Sequence, residues 1–301
     1  MKNIFSRLQK NDEIKGIITD PMEILKAVIT AAGPNQRKLP LQTLIDREGK
    51  KKSFLELLIE EVLAAGINEV CIVVQPGDEM PYGQVIGEHI HGVTFVQQKK
   101  PLGYGHALYC AHTFTGNDPF LHLVGDHLYV NRTEGTSSKQ LVDFAGKHDC
   151  AVSAVQATRE SLIPHFGVVG GKRLQGLKNA YKIETVIEKP TPTEAEQRLL
   201  VPGLRAGHYL CFFGMHVLTP SVMHDLGQEL KSGIKQKIDL SAALNNLAKT
   251  EQYLALEQKD LRYDMGEKYG LFKAQLALAL YGKDRDQILN ELVEFFAMKD
   301  E

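Results

Sequence analysis

The sequence predicts an α/β fold: a mostly parallel mixed sheet with helices on both faces and a smaller antiparallel subregion. Three observations carry it. Strand-length apolar runs alternate with helix-period segments from Leu25 to Ala157, the signature of repeated βαβ units. The first run, LKAVITAA, is mostly apolar with no polar alternation after Lys26, as in a strand covered on both faces. Beyond Pro164 the rhythm changes to strand-like segments separated by turns.

Each element has a local reason. LKAVITAA (Leu25 to Ala32) ends abruptly at Gly33-Pro34. SFLELLIEEVLAAG reads as a helix: Ser53 can cap it, Glu56 completes a capping box, and Gly66 stops it. EVCIVVQP and GVTFVQQ are strands, GHALYCAHTF a helix after a glycine turn, and FLHLVGD a strand ending at Asp126. SSKQLVDFAGKH and CAVSAVQA repeat the helix–strand pair. FGVVGGKRLQGL and YKIETVIEKP read as antiparallel strands, and RAGHYLCFFGMHV as another strand. Helices follow from Ser221 and Asp239, and LRYDMGEKYGLFKAQLALALYG is a strand, a turn and a long helix. With no Pro/Ser-rich linker and no repeat, the chain divides into an N-terminal extension over 1–24 and a single domain over 25–301. Ile4, Phe5 and Leu8 fall at helical spacing, which predicts a short packed helix.

Composition narrows the function classes. The 301 residues carry a net charge of -2, so there is no bulk basic field for nucleic acid. Cys71, Cys110, Cys150 and Cys211 are widely spaced with no C-x-x-C pair, which argues against zinc or a disulfide framework and for a reducing cytoplasm. No apolar stretch reaches the ~20 residues of a membrane span, and the N-terminus lacks the apolar core of a signal peptide. The histidines show no H-E-x-x-H spacing, so His106, His122 and His127 read as packing or surface residues rather than metal ligands. There is no G-x-S-x-G elbow.

Four constellations can carry chemistry. After Gly33, six cations follow within twenty positions: Arg37, Lys38, Arg47, Lys50, Lys51 and Lys52. A glycine after a strand lets backbone N–H groups approach an anion, and Arg37 and Arg47 can pair with phosphate; a solvated surface loop would look the same. In VQQKKPLGYGHAL, Gly103 and Gly105 precede a helix N-terminus suited to a phosphate or nucleotide. Gln97 or Gln98 can read a base edge there. Gly103-x-Gly105 with Asp126 downstream also imitates a dinucleotide fingerprint, but Leu108 stands at the third small position. Asp126 and Asp264 each end a predicted strand. A carboxylate ~4 Å from a phosphate is repelled by roughly 4 kcal/mol at an effective dielectric of 20. Two of them aimed at an anion therefore imply a divalent cation, for which Mg²⁺ is suited; taken singly, each also reads as a turn or capping residue. In VIEKP, Glu188 and Lys189 face opposite ways on a strand end. The fold rule places Gly33, Gly103 and Asp126 on one rim, beyond the carboxyl ends of the strands.

The order of these motifs resembles the sugar-1-phosphate nucleotidylyltransferases from about Leu25 to Tyr281. AGPNQRKLP is similar to the family's A-G-x-G-T-R-x-x-P, GYGHALYCA to G-L-G-H-A-x-x-C-A, FGVVGG to Y-G-V-V, VIEKP to V-x-E-K-P, and YDMG to D-x-G. The resemblance implies a Rossmann-like nucleotide-diphospho-sugar transferase fold, glycosyltransferase-A-like, whose antiparallel subregion binds sugar. It implies joining of a nucleoside triphosphate, UTP favoured, to a sugar 1-phosphate, glucose 1-phosphate favoured. Asp126 and Asp264 would hold Mg²⁺, Arg37 and Arg47 would meet the departing pyrophosphate, and Lys189 the sugar phosphate. Ala32, Gly33, Gln98, Gly103 and Tyr104 would bind the nucleotide, and Phe166, Gly167, Glu188 and Gly207 the sugar. It also implies self-association; the expectation of no nucleic-acid or membrane partner rests on the composition. Two departures stand out. Asn35-Gln36 replace the Gly-Thr of the opening loop, and Arg47 stands where a lysine is expected. They motivate a rival reading, a sugar-nucleotide-binding protein without catalysis; an NAD-dependent oxidoreductase is the other.

Overall fold

The computed structural model describes residues 22–34, 36–132, 135–233 and 237–298; the expected helix around Ile4, Phe5 and Leu8 lies outside them. In chain order the strands are β1 (Lys26–Thr30), β2 (Thr43–Ile45), β3 (Lys51–Ser53), β4 (Glu69–Val74), β5 (Val93–Gln97), β6 (Phe120–Val124) and β7 (His127–Val130). They continue with β8 (Ala151–Arg159), β9 (Gly167–Arg173), β10 (Ala180–Glu188), β11 (His208–Leu218), β12 (Tyr253–Glu257) and β13 (Leu261–Asp264). The helices are α1 (Phe54–Ala64), α2 (Glu79–Val85), α3 (Tyr104–Tyr109), α4 (His112–Thr115), α5 (Ser137–His148), α6 (Pro192–Arg198), α7 (Pro220–Ser232), α8 (Leu240–Thr250), α9 (Gly270–Leu280) and α10 (Arg285–Ala297).

Nine strands form one mixed sheet in the order β5-β4-β1-β6-β11-β8-β12-β10-β9. β5, β4, β1 and β6 are mutually parallel, and β11 enters antiparallel between β6 and β8. The β9–β10 hairpin is antiparallel, as the turn-rich sequence predicts, but it extends the main sheet through β12 rather than forming a separate one. β9 also touches β11, so the far end of the sheet curls back on itself.

β1 explains why the core has two halves. Its side chains alternate: Ala27 and Ile29 join the apolar layer under α1, α5 and α9, while Val28 joins the layer under α3, α7 and α8. All three are fully buried, so the strand reads as continuously apolar because both faces are covered. α1 begins as its sequence predicts. Ser53 Oγ accepts from Glu56 N at 3.0 Å, and Glu56 Oε2 accepts from Ser53 N at 2.6 Å, satisfying two otherwise orphaned donors.

The structure differs from the sequence reading in three places. The helix expected over Gly105 to Phe114 is two short ones, because the chain tightens at Cys110 and Ala111 into three-residue hydrogen bonds. A hairpin, β2–β3, fills the stretch expected to be open loop. A further helix, α10, follows α9 and has no buried residue. All four cysteines are free thiols, and among the described residues no helix is long and apolar enough to cross a membrane.

Candidate active site

A cleft of about 460 Å³ opens beyond the carboxyl ends of β1, β5 and β6. Its walls include Ala32, Gly33, Gln36, Gln98, Gly103, Tyr104, Asp126 and Asp239. The rim predicted from sequence therefore exists, and it brings together the opening loop, the glycine turn and the first aspartate.

The glycine turn is held by a second segment. Gly103 adopts φ +104°, and a Cβ there would lie 2.7 Å from Ile238 O. No side chain fits that approach. Ile238 N donates to Leu102 O at 2.8 Å and Gly105 N to Ile238 O at 2.9 Å, so the turn is laced to the entry of α8. Gln98, nearly buried, stands behind it. Its Nε2 lies 3.1 Å from Gly103 O and 3.0 Å from His106 Nδ1. A carbonyl can only accept, which fixes the amide orientation. Burial holds the His106 pKa below its ordinary value, favouring the neutral ring as acceptor. Both amide hydrogens are thereby used, and Oε1 is the group Gln98 has left to offer. Gln97, the alternative, is instead bound to Glu79.

The two aspartates meet through a small second ladder. β13 pairs antiparallel with β7, placing Asp264 opposite His127, and Met265 N donates to Asp126 O at 2.8 Å. The backbones of Asp126 and Asp264 thus lie on neighbouring rungs. Asp264 Oδ1 accepts from Gly266 N at 2.8 Å. Asp126 Oδ2 accepts from Gln36 Nε2 at 2.5 Å, and Oδ1 lies 3.0 Å from His127 Nδ1. Burial pushes the Asp126 acid up, but the adjoining His127 ring and Gln36 amide outweigh it and hold it below the ordinary value. It stays ionised although largely enclosed. Neither carboxylate pairs with a lysine or arginine among the described residues.

The antiparallel end supplies a second cluster. Glu188 faces Gly167 across the β9–β10 ladder and accepts from Ser241 Oγ at 2.6 Å. Lys189 follows at φ +47°, a left-handed conformation unusual for a side chain, with its N–H bonded to Phe166 O at 3.0 Å. The carboxylates of Asp126 and Glu188 both act on the Tyr104 phenol, whose pKa burial first and then these charges raise; Tyr104 lies between the two clusters. Gly207 precedes β11 at φ +68° and accepts from Glu160 N; like Phe166, Gly167, Glu188, Lys189 and Asp264, it is not among the residues walling the cleft.

The two arginines are placed otherwise than expected. Arg37 grips Asp78 with Nε and Nη2, the Nε contacts being 2.8 and 3.0 Å. Asp78 is buried and the Arg37 side chain is half exposed, so the pair anchors the loop while leaving Nη1 uncommitted. Arg47 is not in the cleft. Its Nε donates to Tyr281 O at 2.8 Å, at the carboxyl end of α9, and Lys283 N donates back to Arg47 O. A guanidinium there satisfies a terminal helix carbonyl, and the expectation that it meets pyrophosphate is not supported by this geometry.

Sequence reasoning missed Arg262 and Gln36. Arg262 is half-buried on β13, with Nη1 donating to Phe212 O at 2.6 Å and its guanidinium 4.4 Å from the Phe166 ring centre. A cation inside a short strand next to Asp264 is the signal that could have found it. Gln36 was visible only as a departure from a motif. Leu108, at the third position of the dinucleotide-like spacing, is wholly buried, as a core residue should be.

The sequence profile of the family described as Nucleotidyl transferase matches residues 26–280. A UTP–glucose-1-phosphate uridylyltransferase of Streptococcus pyogenes serotype M3 is 28% identical over 285 residues, covering 86% of this chain and 91% of that protein. Among solved structures, a UDP-glucose pyrophosphorylase complexed with UDP-glucose superposes with a TM-score of 0.69 at 25% identity, covering 85% of this chain and 98% of the other. A UTP-bound UGPase from Acinetobacter baumannii shares the fold with a TM-score of 0.72 at 21% identity, over 93% of this chain and all of the other.

Proposed function

The chain belongs to the nucleotidyl transferase family, and from that premise we propose that it joins UTP to glucose 1-phosphate. A phosphate oxygen of the sugar attacks the α-phosphorus in line. The bond to the β-phosphate oxygen breaks, and pyrophosphate leaves. The chemistry needs no protein nucleophile; it needs alignment and neutralised charge.

The single observation that carries this reading is that the β7–β13 ladder brings Asp264 alongside Asp126, which walls the cleft, with Gln36 Nε2 near both carboxylates. Two carboxylates, neither ion-paired to a lysine or arginine among the described residues, suit a hard divalent ion, for which Mg²⁺ is our choice. When bound, that ion would neutralise charge between the nucleotide and the sugar phosphate. The protein's own residues do the rest. Gln98 offers its carbonyl oxygen, which matches the imide N–H of uracil or thymine and is repelled by the N3 acceptor of cytosine. The Gly103 turn keeps the backbone close to the base. Arg37, held by Asp78, presents its remaining N–H groups to the outer phosphates. Lys189 steadies the sugar phosphate, while Glu188, Gly167 and Phe166 orient the sugar.

The test is pyrophosphate release over a small panel of nucleoside triphosphates and sugar 1-phosphates with Mg²⁺. Release that depends on both substrates and is fastest with UTP and glucose 1-phosphate is the expected result. The engagement of Arg47 away from the cleft favours the one rival worth keeping, a sugar-nucleotide-binding protein. That rival predicts tight binding of UDP-glucose with no pyrophosphate release from any pair.

A further inference from the structure

The opening loop departs from its family pattern at Gln36, and the structure gives that departure a place. Gln36 N donates to Gly33 O at 3.0 Å, closing a turn. The side chain folds back over this turn, and its Oε1 fills the space that a Cβ on residue 33 would need. Its Nε2 donates to Asp126 Oδ2 at 2.5 Å. A Cβ built on Gly266 would lie 3.2 Å from Asp264 Oδ1 and 3.5 Å from the same Nε2. The amide and both carboxylates therefore face one small space.

We propose that Gln36 is a third protein ligand of the divalent cation held by Asp126 and Asp264, a role that rests on the metal reading above. Without the ion, the amide turns its hydrogens to the carboxylate, the only favourable arrangement for a donor group beside an anion. With the ion in place those hydrogens would be repelled. A half-turn about the last side-chain torsion, which is soft for an amide, exchanges Nε2 for Oε1. That carbonyl oxygen is the kind of hard donor that Mg²⁺ and Mn²⁺ accept. Threonine, the residue of the family pattern, is shorter by two heavy-atom links and would not span from this turn to Asp126. The chain would thus hold its cation before nucleotide arrives more firmly than a two-carboxylate site does.

Electron paramagnetic resonance of Mn²⁺ titrated into the full chain, with and without UTP, tests this without measuring turnover. Gln36→Met keeps the length and removes the oxygen, Gln36→Thr restores the family residue, and Gln36→Glu supplies a stronger oxygen donor. The expected result is Mn²⁺ affinity weakened about tenfold in the first two, in line with losses seen when metal-site residues are removed, and regained or exceeded in Gln36→Glu. Thermal melting would identify any variant that fails to fold, and the other two would then decide. Equal or tighter Mn²⁺ binding by Gln36→Met and Gln36→Thr would overturn the proposal, leaving the amide as a competitor that must withdraw. Asp126→Asn and Asp264→Asn separate the two levels. If neither weakens Mn²⁺ binding, or if the unaltered chain binds none even with UTP, the metal reading itself is wrong and Gln36 falls with it.

Discussion

Asp126→Asn is the substitution on which the mechanism can be judged most sharply. Asparagine keeps the shape of the side chain and removes one unit of charge from a largely enclosed position. One charge at ~4 Å and an effective dielectric of 20 is worth about 4 kcal/mol, which is about a thousandfold in rate. Losing a single preorganised electrostatic element from an active site commonly costs about 10²–10³ in kcat, so the two routes agree. Asp264→Asn should cost about as much, because the β7–β13 ladder places the two backbones on neighbouring rungs. If they share one ion, the double variant should lose little more than either single one, as residues acting as a unit do. The assay is pyrophosphate release under saturating substrates, with kcat followed against Mg²⁺ concentration and folding checked by thermal melting. Near-normal turnover of Asp126→Asn, or a double variant whose losses multiply, would refute the shared-ion argument.

Three further outcomes follow from particular contacts. Glu61 is buried in α1 and accepts from Ser138 N at 2.9 Å; burial, with Asp260 adding to it, pushes its acid up to about 7. A carboxyl raised in the folded state stabilises fully below its unfolded value and less as pH climbs through 7, so about 3 kcal/mol should be lost across that window. Glu61→Gln should flatten the slope in urea unfolding measured at pH 5 and pH 8; an unchanged slope would exclude Glu61 as its source. Gln98→Leu removes the base-facing oxygen and leaves two part-buried acceptors, Gly103 O and His106 Nδ1, without their donor, so kcat/KM for UTP should fall about ten- to hundredfold while the preference for UTP over CTP disappears; a variant that still discriminates would remove Gln98 from base reading. Arg47→Ala should leave kcat within about twofold, because its guanidinium serves α9 rather than the cleft; a hundredfold loss would return it to the reaction.

Sequence legibility tracked how local each signal was. The capping box of α1 and the two-face burial of β1 are written in a few adjacent residues, and both appear in the structure. The shared rim was legible because the carboxyl ends of parallel strands lie on one side by construction. β2–β3 was not, since Lys51 and Lys52 look like a solvated charge run. Arg47 shows the same limit at the site. A cation beyond a glycine loop satisfies the chemistry of phosphate binding, but its partner is a carbonyl 234 residues away, and nothing near it in the chain marks that pairing. The β7–β13 ladder was equally hidden. β13 reads as a strand in the sequence, but its partner β7 lies more than a hundred residues earlier in the chain and nothing near either marks the pairing.

What sets the proposed site apart does not depend on resemblance. Over most of the chain apolar faces are buried, helices are capped by Ser53 and Thr136, and left-handed positions are glycine, with exposed α10, buried Glu61 and left-handed Asp149 as exceptions. Four further departures lie near the proposed site. Lys189 holds a left-handed backbone that costs a side-chain residue of order 1–3 kcal/mol. Arg262 is a half-buried cation held by the Phe212 carbonyl and the Phe166 ring, within electrostatic reach of Asp126 and Asp264. Asp126 is held below the ordinary carboxyl value by His127 and Gln36 although burial pushes it up. His127 Nε2 is buried without a hydrogen-bond partner among the described residues. Each is unfavourable for folding alone, and a fold tolerates such features together only where they serve another purpose. Charge is what these residues have in common. A strained lysine and a half-buried arginine suit anionic phosphates, and two acids beside such phosphates suit the divalent ion proposed to lie among them.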